Sequence, residues 1–277
     1  MMIQTMTLMT NSKIAIIITA AGSSTRIGGG IKKEFLPYKN GTVLSASAKS
    51  FFKACKNHII TDFIITTQKN GIDESKNAIF CDSELCSLLE QNKNLSIKFV
   101  EGGSSRQESV FKGLLQVQNS DDDLIVLIHD GARPFVTEQT ILDVICAAQE
   151  FGASVPGVTP SDTQKEIDSN GFITRHLERN SLSAVQTPQG FVFNPLLQAH
   201  KKAIQDNKEY TDDTEIWGKY CGNVKVVSGD INNTGHTRLS EEQEPRSPAF
   251  PLRPPARESP SPPIKCGCPF SAPAYAP

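Results

Sequence analysis

The sequence predicts an α/β fold built on a mostly parallel sheet. Short apolar runs rich in β-branched residues recur along the chain, and each is nearly continuous rather than alternating, as strands covered on both faces require. The longer segments between them repeat apolar residues at helical spacing. Strand and helix alternate in order, which implies right-handed crossovers and parallel pairing.

The strands are expected at Ile14–Thr19, Phe63–Thr67, Ile97–Val100, Leu124–His129 and Ser154–Val158. Helical faces are expected from Leu44, Phe51, Phe52 and Cys55, from Val110, Leu114 and Val117, and from Ile141, Val144, Ile145 and Ala148. Between about 160 and 187 the pattern changes to short, polar, strand-like stretches around Asn170-Gly171, a dipeptide that favours a hairpin turn. This segment reads as an excursion from the sheet, an arm. A helix near Pro195–Gln205 and a strand at Val224–Val227 follow.

These limits divide the chain into a flexible N-terminus over 1–12, a folded domain over 13–244 and a tail over 245–277. The tail scatters eleven prolines among few large aliphatic residues. Such a segment buries too little apolar surface to offset its ordering entropy, so it is expected to be disordered.

Composition excludes several classes. The 277 residues carry a formal net charge of −2, so no overall basic field attracts nucleic acid and any positive site must be local. No apolar run approaches the roughly 18 residues of a membrane span, and the N-terminus lacks the basic start and long apolar stretch of a signal peptide. Seven cysteines, an odd number without a repeated metal-ligand spacing, make the cytoplasm the expected compartment. Cys266-Gly-Cys268 reads as two incidental thiols.

The chemistry concentrates where strands end. The first strand runs into Thr19-Ala-Ala-Gly-Ser-Ser-Thr-Arg26, then Gly28-Gly-Gly30 and Lys32-Lys33. Small residues let a backbone approach a phosphate closely, and Arg26 and Lys33 supply charge there. The loop is not a P-loop, and it lacks the spacing of a dinucleotide-binding turn. Glu101-Gly-Gly-Ser-Ser-Arg-Gln-Glu-Ser109 follows the third strand. Its glycines permit close approach to a base edge; the alternative reading has Ser105 or Ser109 cap the helix that begins here.

His129-Asp130-Gly-Ala-Arg133-Pro134 ends the fourth strand. Asp130 faces the same crevice, suited to Mg²⁺ or to phosphate-bound water, or else it forms a turn. His129 reads as a buried, hydrogen-bonded neighbour rather than a ligand. Ser161-Asp162-Thr163, Arg179, Gln186-Thr187-Pro188-Gln189 and Thr211-Asp212-Asp213 add hydroxyls and an arginine fork that suit a small phosphate.

Taken in order over about 13–240, these segments resemble the 2-C-methyl-D-erythritol 4-phosphate cytidylyltransferase family of the non-mevalonate isoprenoid pathway. The resemblance rests on A-A-G-x-x-x-R, a lysine seven positions beyond that arginine, G-G-x-x-R-x-x-S-V, H-D-x-A-R-P, D-T, T-P-Q-x-F and T-D-D. It implies a Rossmann-like nucleotidyltransferase domain whose protruding β-arm builds a homodimer. It implies CTP as donor, a methylerythritol phosphate as acceptor and Mg²⁺ as cofactor.

By the same resemblance Ala20, Ala21, Gly22, Gly103, Ser109 and Asp130 would contact CTP, with Asp130 beside the metal. Arg26 and Lys33 would stabilise charge at the α-phosphate. Arg179, with Thr163 and Thr187, would hold the acceptor across the dimer interface. Lys32 and Thr19 stand where the family usually has proline, and Gly235 stands where it has an acceptor-positioning lysine. Ribitol-5-phosphate cytidylyltransferase, with the same reaction, and a weakly active CTP-binding protein with an altered C-terminus are the alternative readings.

Overall fold

The computed structural model describes residues 12–22 and 31–234. All of them belong to the first of two units into which the chain divides, Met1–Ser240. The expectations for the N-terminal segment, Arg26, Gly235 and the proline-rich tail therefore lie outside the described residues.

The elements run β1 (Lys13–Ala20), β2 (Pro37–Tyr38), β3 (Gly41–Thr42), α1 (Val43–Ala54), β4 (Ile59–Thr67), α2 (Ile72–Phe80), α3 (Ser83–Gln91), β5 (Ser96–Glu101), α4 (Arg106–Leu114) and β6 (Ile125–Asp130). Then come α5 (Glu138–Phe151), β7 (Ala153–Val158), β8 (Lys165–Ile167), β9 (Ile173–His176), β10 (Ala184–Val185), β11 (Gln189–Val192), α6 (Phe193–Gln205), α7 (Asp213–Tyr220) and β12 (Lys225–Ser228). Each expected main strand is present; four are extended by one to four residues, and the fourth in order, β6, is shifted by one residue to Ile125–Asp130.

The central sheet has the order β10-β7-β11-β6-β1-β4-β5, with β12 on β7. Strands β6, β1, β4 and β5 pair in parallel, as does β12 with β7. Strand β11 runs antiparallel between β6 and β7. The sequence pattern alone marks no strand over Gln189–Val192. The excursion also closes earlier than expected: from Ala184 the chain already runs back along β7, joined at Gln186, whose N–H donates to the Pro156 carbonyl at 2.8 Å.

Strand β1 shows why its sequence does not alternate. Ile14, Ile16 and Ile18 face one core layer with Leu44, Phe51, Phe52, Ile141 and Val144. Ala15 and Ile17 face the other, with Val110, Leu114, Leu196 and Trp217. Successive strand residues point to opposite faces, and both faces carry helices. Each large aliphatic side chain so buried contributes about 1.5–3 kcal/mol.

The helices start where capping chemistry permits. The Thr42 hydroxyl accepts from Ser45 N at 3.1 Å to open α1, and Asp82 accepts from Leu85 N at 3.1 Å to open α3. The β8–β9 hairpin turns at Gly171, whose φ of 85° suits glycine. Asp168 Oδ1 closes that turn by accepting from Asn170 and Phe172 N–H, each at 2.9 Å.

Candidate active site

The carboxyl ends of β1, β4, β5 and β6 lie side by side, with Thr19 level with Asp130 and Ala20 level with Thr67. Open α/β sheets bind ligands at this edge. Loops leaving the four strands line one crevice that holds Ala21, Gly22, Gly103, Ser109 and Asp130 together. These residues come from segments up to about a hundred positions apart in the chain. Ala20 lies fully buried beneath them, and its carbonyl accepts from Lys32 Nζ at 3.3 Å. The lysine that stands at a family proline position is thus folded in against the end of β1.

The glycine loop after β5 is packed too closely for side chains. A Cβ on Gly102 would lie 2.5 Å from Ala21 Cβ and 2.6 Å from Ser109 Oγ. One on Gly103 would lie 2.2 Å from the Glu108 carboxyl carbon. Ser109 Oγ accepts from Gly103 N at 3.0 Å and donates to the Ser105 carbonyl at 2.8 Å. Its hydroxyl therefore shapes the loop from below. The helix cap is Ser105, which accepts from Glu108 N at 3.1 Å. Glu108 in turn takes Ser104 N at 2.7 Å, and this hydrogen bond, with Lys112 and the Ser104 hydroxyl, holds its carboxyl down at about 2.

Asp130 sits between two arginines. Arg133 Nε donates to Oδ2 at 3.0 Å, and Arg106 Nε lies 3.7 Å from Oδ1. Burial alone would raise the Asp130 carboxyl, but the charges of Arg106 and Arg133 outweigh it and hold it below the usual carboxylate range. Arg106 also donates from Nη1 to Asp213 Oδ2 at 2.7 Å. Arg133 Nη1 donates to the Asn233 carbonyl at 2.9 Å, and Asn233 Nδ2 donates to the Thr187 carbonyl at 2.8 Å. The segment leading to Gly235 thereby returns to this end of the sheet.

His129 is fully buried, and loss of hydration pushes its pKa down to about 4. The ring is neutral at pH 7, so it has one donor and one acceptor. Its Nε2 faces the Arg133 carbonyl at 3.0 Å, which can only accept, so the proton is on Nε2. Nδ1 then accepts from the Thr187 hydroxyl at 2.9 Å, and that oxygen accepts from Asp130 N at 3.2 Å. His129 is the hydrogen-bonded neighbour its sequence context suggests. Thr187 departs from the acceptor-binding expectation, because its buried hydroxyl is committed to His129 and to the Asp130 main chain.

The other described residues expected at the site stand outside the crevice lining. Thr163 and Arg179 are exposed on the excursion, and Arg179 Nε donates to the Pro160 carbonyl at 2.8 Å. Lys33 opens a single 3₁₀ turn, Lys33–Phe35, half-buried beside the crevice's rim. Arg106, Arg133, Asp213 and Gln68 were not assigned roles from the sequence. Gln68 Nε2 donates to the Gly22 carbonyl at 2.9 Å and ties the chain after β4 to the residues that follow β1. The signal for the charged three was a pair of arginines and an aspartate inside the motifs themselves.

Among the described residues no cluster of three or more metal-ligating side chains occurs. Asp130 Oδ1 nevertheless suits a shared magnesium, being too far from Arg106 for a hydrogen bond. Magnesium commonly takes one or two carboxylates and completes its shell with substrate phosphates and water. Among the described residues no helix is long and apolar enough to cross a membrane.

Comparison with known proteins agrees with this arrangement. The family model for 2-C-methyl-D-erythritol 4-phosphate cytidylyltransferase matches residues 14–241. The chain is 38% identical over 221 residues to the enzyme of that name from Clostridium botulinum (strain Eklund 17B / Type B), covering 79% of this chain and 92% of the relative. It is 39% identical to that from Clostridium novyi (strain NT), covering 80% and 90%. The fold is similar to the crystal structure of 4-diphosphocytidyl-2C-methyl-D-erythritol synthase from Anaerococcus prevotii DSM 20548, with a TM-score of 0.65 at 27% identity, covering 83% of this chain and 92% of that one.

Proposed function

The chain belongs to the 2-C-methyl-D-erythritol 4-phosphate cytidylyltransferase family, and on that premise we infer that it transfers a cytidylyl group from CTP to 2-C-methyl-D-erythritol 4-phosphate. The products are 4-diphosphocytidyl-2-C-methyl-D-erythritol and pyrophosphate, within non-mevalonate isoprenoid biosynthesis. The observation that carries this reading is the crevice itself. A close-packed glycine loop, Ala21-Gly22 and an arginine-flanked Asp130 meet at the carboxyl edge of the sheet.

The acceptor phosphate attacks the α-phosphorus of CTP in line, and pyrophosphate leaves. The acceptor is already ionised, so no side-chain base is required. His129 could not serve as one, since both its ring nitrogens are bonded within the fold. Catalysis is then positioning plus electrostatic stabilisation. Ala21, Gly22 and Gly103 admit the nucleotide to the backbone, and Ser109 holds the loop that receives it. Arg26 and Lys33 meet charge at the α-phosphate. Asp130 would hold a magnesium ion that, when bound, neutralises triphosphate charge.

The acceptor site is read as shared between two copies. Thr163 and Arg179 stand on the exposed excursion, apart from their own crevice, and Ile167, Phe172 and Ile173 of its hairpin are 65%, 71% and 56% exposed. Apolar residues on an outlying hairpin suit burial against a second chain. In a homodimer the hairpin would bring Thr163 and Arg179 to the neighbouring crevice.

The test is pyrophosphate release with 2-C-methyl-D-erythritol 4-phosphate and each nucleoside triphosphate. CTP should exceed ATP and GTP, and EDTA should abolish turnover until Mg²⁺ is restored. Equal use of purine triphosphates would remove the cytosine assignment.

A further inference from the structure

Cytidylyl transfer leaves one group of buried ionisable side chains without a task. Asp213, the first residue of α7, and His200 of α6 are both fully buried. Three neighbours fix Asp213. Its Oδ2 accepts from Arg106 Nη1 at 2.7 Å, its Oδ1 faces His200 Nε2 at 3.1 Å, and its main-chain N–H donates to Gln189 Oε1 at 3.2 Å. Asp212 beside it caps the helix by accepting from Glu215 N at 2.9 Å, and it takes Gln189 Nε2 at 3.1 Å. The two adjacent aspartates thus divide the work: one starts the helix and the other points into the domain.

Arg106 is where this anchor reaches the crevice. It lines that crevice, its Nε faces Asp130 Oδ1 at 3.7 Å, and its Nη2 is buried with no hydrogen-bond partner among the described residues. A guanidinium held by one carboxylate at Nη1 cannot rotate freely, so its remaining edge keeps one direction. Burial would raise the Asp213 carboxyl, but Arg106 and His200 hold it below the ordinary range, so it stays an anion.

We propose that Asp213 is a positioning residue for cytidylyl transfer: it locks the Arg106 guanidinium in the crevice wall, so that its charge stays beside Asp130 where the nucleotide binds. Asp213 touches no substrate itself. The inference rests on the CTP reading of the crevice. Stability alone is a weak reason for the pair, because buried ion pairs are often no better than apolar groups of the same volume.

The test uses Asp213→Asn, Arg106→Gln and the double variant. Pyrophosphate release is followed against CTP at saturating polyol phosphate and against polyol phosphate at saturating CTP, with Tm measured for each protein. Loss of a charge-assisted bond predicts that Asp213→Asn lowers kcat/KM for CTP by about 10- to 100-fold. The KM for polyol phosphate should change less than about threefold, well inside the spread of one hydrogen bond. Groups that act as a unit are not additive, so Asp213→Asn should cost nothing further in the Arg106→Gln background.

Full additivity, or a lowered Tm with an unchanged kcat/KM for CTP, overturns the proposal. Should Asp213→Asn fail to fold, ¹⁵N-arginine NMR of the unaltered protein decides, with the Arg106 signals assigned from Arg106→Gln. Separate, slowly exchanging Nη signals before CTP is added support the lock, and a freely rotating guanidinium overturns it. If the unaltered protein neither binds nor consumes CTP, the CTP reading has failed, and the Arg106 signals still report on the lock.

Discussion

Thr187→Val asks what the Thr187 hydroxyl is for. Valine has the same shape, so the change opens no cavity, and only the hydroxyl is lost. Two groups lose their partner: His129 Nδ1 at 2.9 Å and Asp130 N at 3.2 Å. The site is 4% exposed, so water does not replace it. Each buried polar group left unsatisfied costs about 1–3 kcal/mol. Taking the lower half of that range for each, since Asp130 N can shift toward the crevice, the loss is about 2–4 kcal/mol. Urea unfolding with a common m-value measures it. Thr187→Ser keeps the hydroxyl and should lose less than half as much. Activity should fall in Thr187→Val through kcat and the KM for CTP together, because Asp130 is the residue displaced. A valine variant within about 0.5 kcal/mol of the parent, with only the KM for polyol phosphate raised, would refute the bonding role and return Thr187 to the acceptor.

Gly102→Ala brings a methyl to 2.5 Å from Ala21 Cβ, so the two loops must part, and the KM for CTP should rise by about tenfold or more with little loss of Tm; an unchanged KM would show that the loops do not meet at the nucleotide. His129, with its pKa lowered to about 4 by burial, binds fewer protons folded than unfolded between pH 6.5 and 4. Its stability contribution is therefore complete above about 6.5 and falls with pH by about 3 kcal/mol, so Tm against pH should be flatter in His129→Gln than in the parent. Asp130 and Asp213 have lowered pKa values, so their contribution persists above about 4 and is lost only as pH falls further, and Asp213→Asn should blunt the acid limb alone.

What the sequence reveals depends on how locally each feature is determined. Strand β1 could be read because both of its faces are buried, which leaves an unbroken apolar run. Helices α1 and α5 could be read because Leu44, Phe51 and Phe52, and Ile141, Val144 and Ile145, repeat on one face. Strand β11 could not, because Gln189-Gly-Phe-Val192 is four residues long, contains a glycine, and becomes a strand only through β6 and β7 on either side. In the crevice, Gly103 and Asp130 were legible because one follows the end of β5 by two residues and the other ends β6, each within a dense motif. The partition between Ser105 as cap and Ser109 as loop support was not, since either serine satisfies the local pattern. Nor could sequence join Arg106 to Asp213, 107 positions apart, because nothing local marks a buried ion pair.

Everything above turns on the identity of the acceptor in cytidylyl transfer from CTP. The direct measurement is pyrophosphate release from CTP and Mg²⁺ with 2-C-methyl-D-erythritol 4-phosphate and, separately, ribitol 5-phosphate, with the nucleotide product identified by mass. The expected result is 4-diphosphocytidyl-2-C-methyl-D-erythritol, one pyrophosphate per product, and at least tenfold lower kcat/KM for the ribitol compound, a difference of about 1.4 kcal/mol. Faster transfer to ribitol 5-phosphate, or CTP binding without pyrophosphate release from either acceptor, would contradict it.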